Sequence, residues 1–140
     1  MTLRIAVETP SSHAGTMRGP SYSLQYVAPE VLAAVEAGDA SIETSAAADI
    51  WALGVIAYEL LTNSRAFGMG TTRAVITAQV LGREAAPWEQ EPRAVGAKLR
   101  GLRRSVMSCL QRDPEQRPTA AQLVEGWEHM FDTIQTRNDM

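Results

Sequence analysis

Few residues in this chain combine the type and the spacing that chemistry requires. Cys109 is the single cysteine, so no internal disulfide can form. It falls beside Leu110 and three after Val106 in an amphipathic run, where a small buried side chain is the plain reading. His13 and His129 stand alone, without Cys, His or Asp at metal-ligand spacing, and read as solvated histidines. No Gly-x-Ser-x-Gly pattern and no paired nucleophile and base is present. Phosphoryl transfer would need a nucleotide cradle, a metal held by carboxylates and a base beside the attacking hydroxyl. Gly68 and Gly70 follow no strand and lack a third glycine, so they do not cradle phosphates. Ala66-Phe67-Gly68 offers magnesium no carboxylate, and Lys98, the only lysine, lies late in the chain on a helical pattern. What remains are hydroxyls. Thr9, Ser11, Ser12, Thr16 and Ser21 lie in a Pro-, Gly- and Ser-bearing loop stretch and are candidate acceptors of phosphate, although most loop hydroxyls are simply solvated.

Size and composition bound the rest. A chain of 140 residues is one domain by length, able to bury about 68% of the surface its unfolded form exposes. Its 45% hydrophobic content suits a globular fold rather than a disordered chain. A net charge of −3 argues against nucleic acid and against an anionic membrane surface as partners. Arg4 precedes only Ile5-Ala6-Val7, too short an apolar core for a signal peptide. An intracellular, cytoplasmic protein is the expectation.

The element that must position everything else runs from Asp49 to Leu61. Apolar residues fall on every turn and every face, with Ile50, Leu53, Ala57 and Leu60 on one stripe and Trp51, Val55 and Tyr58 on another. Such a helix is a membrane span or the central strut of a domain, and this run is shorter than the ~20 residues a bilayer needs. Thr44 or Ser45 caps its start, and Asn63 can end it in the left-handed conformation. Before it, Val31 to Glu36 continues a short helix after Pro29 and Glu30, ending near Gly38; Asp39 to Ala47 reads as a small polar insertion. After it, Thr71 or Thr72 caps a helix to about Leu81, and Pro87 and Pro92 bracket a loop holding Trp88. Leu99, Leu102, Val106, Cys109 and Leu110 then mark an amphipathic helix that Asp113-Pro114 ends. Lys98, Arg100, Arg103 and Arg104 lie elsewhere around that helix, as a solvated face or a docking patch. Thr119 and Gln122 form a capping box for a last helix with Leu123, Trp127, Met130, Phe131 and Ile134 on one face. No strand and no internal repeat is apparent, so the fold class is mainly α.

Three blocks carry a resemblance. Asp49-Ile50-Trp51-Ala52-Leu53-Gly54-Val55-Ile56-Ala57-Tyr58-Glu59-Leu60-Leu61 resembles the central helix of the larger lobe of eukaryotic-type protein kinases. Ser23-Leu24-Gln25-Tyr26-Val27-Ala28-Pro29-Glu30 resembles the segment ending that family's activation loop. Cys109-Leu110-Gln111-Arg112-Asp113-Pro114-Glu115-Gln116-Arg117-Pro118-Thr119 resembles its late Asp-Pro…Arg-Pro block. The blocks stand in family order and cover the chain from about Ser23 to Trp127. The absence of a proline-rich tyrosine-kinase pattern before Ala28-Pro29-Glu30 points to the Ser/Thr branch.

The resemblance implies the helical portion of a kinase-like C-terminal lobe around one central buried helix. Residues 1–22 would be an activation-loop-like segment, 23–135 a partial C-lobe and 136–140 a tail. Ser23 and Tyr26 would face substrate, Ser23 contacting the catalytic aspartate and lysine of a complete domain; a plain loop serine is the alternative reading. Tyr22 replaces the usual Gly before it. Asp49 would accept backbone N–H groups of a catalytic loop, or else only favour the helix dipole. Glu30 and Arg117 would form a buried, two-pronged ion pair. The family's Gly-rich loop, strand lysine, His-Arg-Asp and Asp-Phe-Gly are all missing from this sequence. The expectation is therefore a truncated Ser/Thr kinase domain without catalysis of its own, or a kinase-derived binding module. No cofactor is expected in this chain, although a complete domain uses ATP and magnesium. The expected partner is a protein substrate or protein partner, or a second copy meeting it through uncovered apolar surface.

Overall fold

Ser45 starts the helix on which the others pack. In the computed structural model, which describes residues 24–39, 45–68, 72–90 and 100–138, helix α2 spans Ala46–Thr62. Ser45 Oγ accepts the Ala48 N–H at 3.2 Å, satisfying one donor the first turn leaves orphaned. The helix stops at Asn63, whose φ of 51° is the left-handed geometry that asparagine tolerates. Ahead of α2 come a 3₁₀ turn at Leu24–Tyr26 and α1 at Pro29–Glu36. After it come α3 (Arg73–Val80), α4 (Pro87–Gln90), α5 (Arg100–Cys109), a 3₁₀ turn at Pro114–Gln116 and α6 (Ala120–Asn138). No strand occurs among the described residues, so this is the mainly α, helical part of a protein-kinase-like lobe that the resemblance implies.

Among the described residues, two clusters form the core. The larger joins Trp51, Val55 and Tyr58 of α2 to Leu24, Leu32, Phe67, Ile76, Val80, Val106 and Leu110. Phe67 stacks on Trp51 with ring centroids 6.0 Å apart, so the residues after α2 fold back on its buried face. The smaller cluster sets Ile50 and Cys109 against Leu123, with Trp127 packed beside them. Between the clusters α5 lies directly on α2. A Cβ at Gly54 would stand 2.6 Å from Cys109 Cβ, so only glycine lets the two backbones approach this closely. Thr72 caps α3 by accepting the Val75 N–H at 3.4 Å. Thr119 and Gln122 exchange side-chain-to-backbone bonds of 3.2 and 2.9 Å at the head of α6.

Several expectations are corrected. Ala46 and Ala47 belong to α2, because the Ser45 cap sets the boundary earlier than the acidic Asp49 suggests. Trp88 sits in the helical turn α4 rather than in a loop; Pro87 suits a first helical position, and Glu89 accepts the Ala86 N–H at 2.7 Å. Helix α5 ends at Cys109, and Asp113 instead caps the following 3₁₀ turn through the Glu115 N–H. The stripe Ile50–Leu53–Ala57–Leu60 does not behave as a unit. Ile50 is buried, whereas Leu53 and Leu60 are 39% and 81% exposed, because α5 and α6 reach only the N-terminal part of that side; Ile56, outside the stripe, is 47% exposed. Phe131 is exposed as well, since α6 turns only Leu123, Trp127, Met130 and Ile134 inward.

Candidate functional site

Arg117 is the best-connected side chain among the described residues, and its reach defines the site. Its side chain is 0% exposed. Nη1 and Nη2 donate to the two Glu30 carboxylate oxygens, both at 2.7 Å. Nη1 also donates to the Ala47 carbonyl at 2.9 Å and Nη2 to the Arg112 carbonyl at 3.2 Å. Nε donates to the Gln111 carbonyl at 2.7 Å. Five bonds use all five donors of a guanidinium, whose centre lies 5.2 Å from the Trp51 ring centroid. A charge withdrawn from water survives only when paired and hydrogen-bonded; here both conditions are met. The arginine thereby joins the end of the Leu24–Glu30 segment, the start of α2 and the loop after α5.

That first segment is pinned at a second point. The Tyr26 hydroxyl donates to Glu59 Oε2 at 3.2 Å, and Arg65 Nη1 donates to the same oxygen and to the Tyr26 hydroxyl, each at 3.4 Å. Glu59 Oε1 is buried without a partner, as is Oε1 of Gln25. The Leu24–Glu30 segment is thus fixed at Tyr26 to the C-terminal half of α2 by a phenol–carboxylate–guanidinium triad and at Glu30 to the N-terminal end of α2 by Arg117.

A second arginine fastens the far side. Arg112 donates from Nε to the Val80 carbonyl at 3.1 Å and from Nη2 to the Gln79 carbonyl at 2.9 Å, closing the C-terminus of α3. It also grips Glu89 at 2.8 and 3.2 Å. These charge-assisted bonds from Arg112 hold the Glu89 carboxyl below its ordinary range; burial works against them, and the Ala86 N–H supports them. Gly82, at φ 76°, packs under the guanidinium where a Cβ would come within 2.8 Å of Nε. At Cys109, burial pushes the thiol up from its ordinary value, so it is not poised as a nucleophile.

Of the residues singled out from sequence, Tyr26, Glu30 and Arg117 meet within this framework. Asp49 does not; it stands exposed in the first turn of α2. Ser23, Thr9, Ser11, Ser12, Thr16 and Ser21 lie outside the described residues. No cluster able to hold a metal ion occurs among the described residues. Arg112, Glu89, Glu59 and Arg65 escaped the sequence reading. Arg112 neighbours the Asp113-Pro114 pair, but Glu89 lay in a stretch read as loop, and nothing local links Glu59 to Tyr26 across 33 positions.

Comparison with known proteins decides the family. The family model described as protein kinase domain matches residues 5–127. The chain belongs to the protein kinase family. Similar curated relatives are a CDPK-related protein kinase of Daucus carota, 37% identical over 110 residues, and the serine/threonine-protein kinase Nek9 of Xenopus laevis, 32% identical over 103 residues. The matches cover 75% and 74% of this chain but 16% and 10% of those relatives, so the chain spans a small part of each. Germinal center kinase 3 of Caenorhabditis elegans is 30% identical over 71% of the chain and 16% of its own length.

Two outcomes follow from the geometry. Replacing Arg117 by Ala leaves Glu30 without its partner and five acceptors without donors, and is expected to cost roughly 3–5 kcal/mol. Arg117→Lys is expected to recover little, because an ammonium cannot supply the planar fork. Urea midpoints measure both, and a lysine variant as stable as the parent would contradict the five-bond arrangement. For Glu89, a depressed carboxyl pKa means stability that is fully present above the unfolded value of ~4.3. It is lost as pH falls through the lower folded value. Glu89→Gln should therefore lose stability at neutral pH and show a smaller drop than the parent on acidification from pH 6 to about pH 3. Parallel acid profiles for parent and variant would show that the Arg112 grip does not operate.

Proposed function

We propose that this chain is the substrate-facing, helical part of a Ser/Thr protein kinase domain, and that by itself it holds a protein-binding surface without transferring phosphate. The observation that carries this reading is the doubly pinned Leu24–Glu30 segment. Arg117 and the Tyr26–Glu59–Arg65 triad hold its backbone in place. Pre-ordering a segment in this way lowers the entropy lost when it receives a peptide. The Ser/Thr assignment rests on the likeness to the serine/threonine-protein kinase Nek9 and on the residues before Ala28-Pro29-Glu30.

The lack of catalysis is supported by the sequence. Kinase chemistry requires carboxylates on magnesium and an aspartate beside the attacking hydroxyl. The family match begins at residue 5, and Glu8 is the sole acid ahead of Glu30. No His-Arg-Asp or Asp-Phe-Gly follows. ATP and magnesium belong, in this proposal, to a complete domain rather than to these 140 residues. A second reading, a kinase-derived module that binds another protein or a second copy, is favoured by Leu53, Ile56 and Leu60, three exposed apolar side chains on one helix.

Purified chain incubated with magnesium, labelled ATP and a generic Ser/Thr substrate is expected to transfer no phosphate. Turnover that persists through repurification, which removes a contaminating kinase, would overturn the proposal.

A further inference from the structure

Leu53, Ile56 and Leu60 form an exposed apolar face on α2 that the arginine framework does not use. At 3.6 residues per turn the three share one side of the helix, Leu53 and Leu60 lying three and four positions either side of Ile56. Leu60 is the most exposed large apolar side chain among the described residues. The near-equal spacing lets this face meet an inverted copy of itself, each Leu53 against the partner's Leu60 with the two Ile56 side chains between them.

Charges at the two ends of the face complement each other under that inversion. Asp49 is exposed, seven positions before Ile56 and on the same side of the helix. Arg65 is exposed nine positions after Ile56 and is held by Glu59 along the edge on which Ile56 lies. Only its Nη1 is engaged, by Glu59 and the Tyr26 hydroxyl, so among the described residues Nη2 and Nε have no acceptor. A two-fold axis perpendicular to the plane of the paired helices reverses direction and keeps each edge on its own side. It carries each Asp49 to the C-terminal end of the partner's α2, along the edge where the partner's Arg65 stands. Glu59 reaches that edge already neutralised by Arg65. A parallel pairing would instead set the two Asp49 carboxylates side by side and align the helix dipoles, both unfavourable.

We infer that α2 pairs antiparallel with α2 of a second copy of this chain, through Leu53, Ile56 and Leu60, with Asp49 of each copy drawn to the partner's Arg65. The inference rests on the second reading above and narrows it to one partner. Three large side chains per copy bury less than the ~1,200 Å² at which stable interfaces begin, so the dimer is weak and exchanges with monomer.

Sedimentation equilibrium of the whole chain, from micromolar to millimolar protein, is the test. The mass is expected to rise with concentration from that of one chain to that of two, and no further. Leu60→Glu is expected to weaken association roughly tenfold, and Asp49→Lys about threefold. Phe131→Glu, an exposed site on α6, should leave it intact. Ile56→Glu should act like Leu60→Glu and replaces it if that variant melts differently from the parent. Orientation is read by oxidising mixed variants, since the native Cys109 is buried. A disulfide joining a Leu53→Cys chain to a Leu60→Cys chain should form faster than one joining two Leu60→Cys chains. A face covered by another protein or by the chain's own residues leaves the chain monomeric throughout, and that result would overturn the inference. So would association that Leu60→Glu and Ile56→Glu leave unchanged, association that Phe131→Glu removes, or faster coupling of two Leu60→Cys chains. Phosphate transfer on the same preparations separates the two claims: an inactive monomer contradicts the dimer alone, and an active chain contradicts the proposed function whatever its mass.

Discussion

One buried guanidinium sets the terms for the rest of the structure. Arg117 is fully withdrawn from water, and an isolated charge in that position would cost several kcal/mol. The fold meets that cost only by bringing Glu30, Ala47, Gln111 and Arg112 to it together. Those partners come from three segments, one of them 87 positions away in sequence. The requirement is therefore geometric as well as electrostatic: α1, the start of α2 and the loop after α5 must all be in place before the charge is satisfied. Trp51, under the guanidinium and stacked on Phe67, ties that polar node into the apolar core.

The proposed function rests on what the node immobilises. The segment ending in Ala28-Pro29-Glu30 is locked at its C-terminal end by Arg117 and at Tyr26 by Glu59. In a protein kinase domain, positioning supplies much of the catalytic effect, and the function proposed for this chain rests on that kind of positioning. Arg112 repeats the device on the other flank, holding the end of α3 and Glu89 at once. Two arginines separated by four residues thus organise two separate parts of the fold.

Much of this was legible in the sequence, for identifiable reasons. The 3.6-residue period, the Ser45 and Thr72 caps, the Thr119–Gln122 box and Asn63 are local signals, and each governs a boundary in the structure. The pairing of Glu30 with Arg117 was available from family resemblance, not from local pattern. Long-range partners without such a guide were not available: Tyr26 with Glu59, Arg112 with Glu89, Gly54 beneath Cys109. Nor could periodicity tell which side of an all-apolar helix is covered. Ile50 and Leu60 share a stripe in sequence, yet Ile50 is 6% exposed and Leu60 81%, because coverage depends on where α5 crosses.

Native-state hydrogen exchange across low denaturant concentrations tests most directly the claim that Arg117 welds distant segments into one unit. If it does, the amides of α1 and of the first turns of α2 exchange with the same free energy and the same denaturant dependence, through one cooperative opening. Exchange of the α1 amides through a separate, cheaper and denaturant-independent opening, while α2 stays protected, would contradict the account.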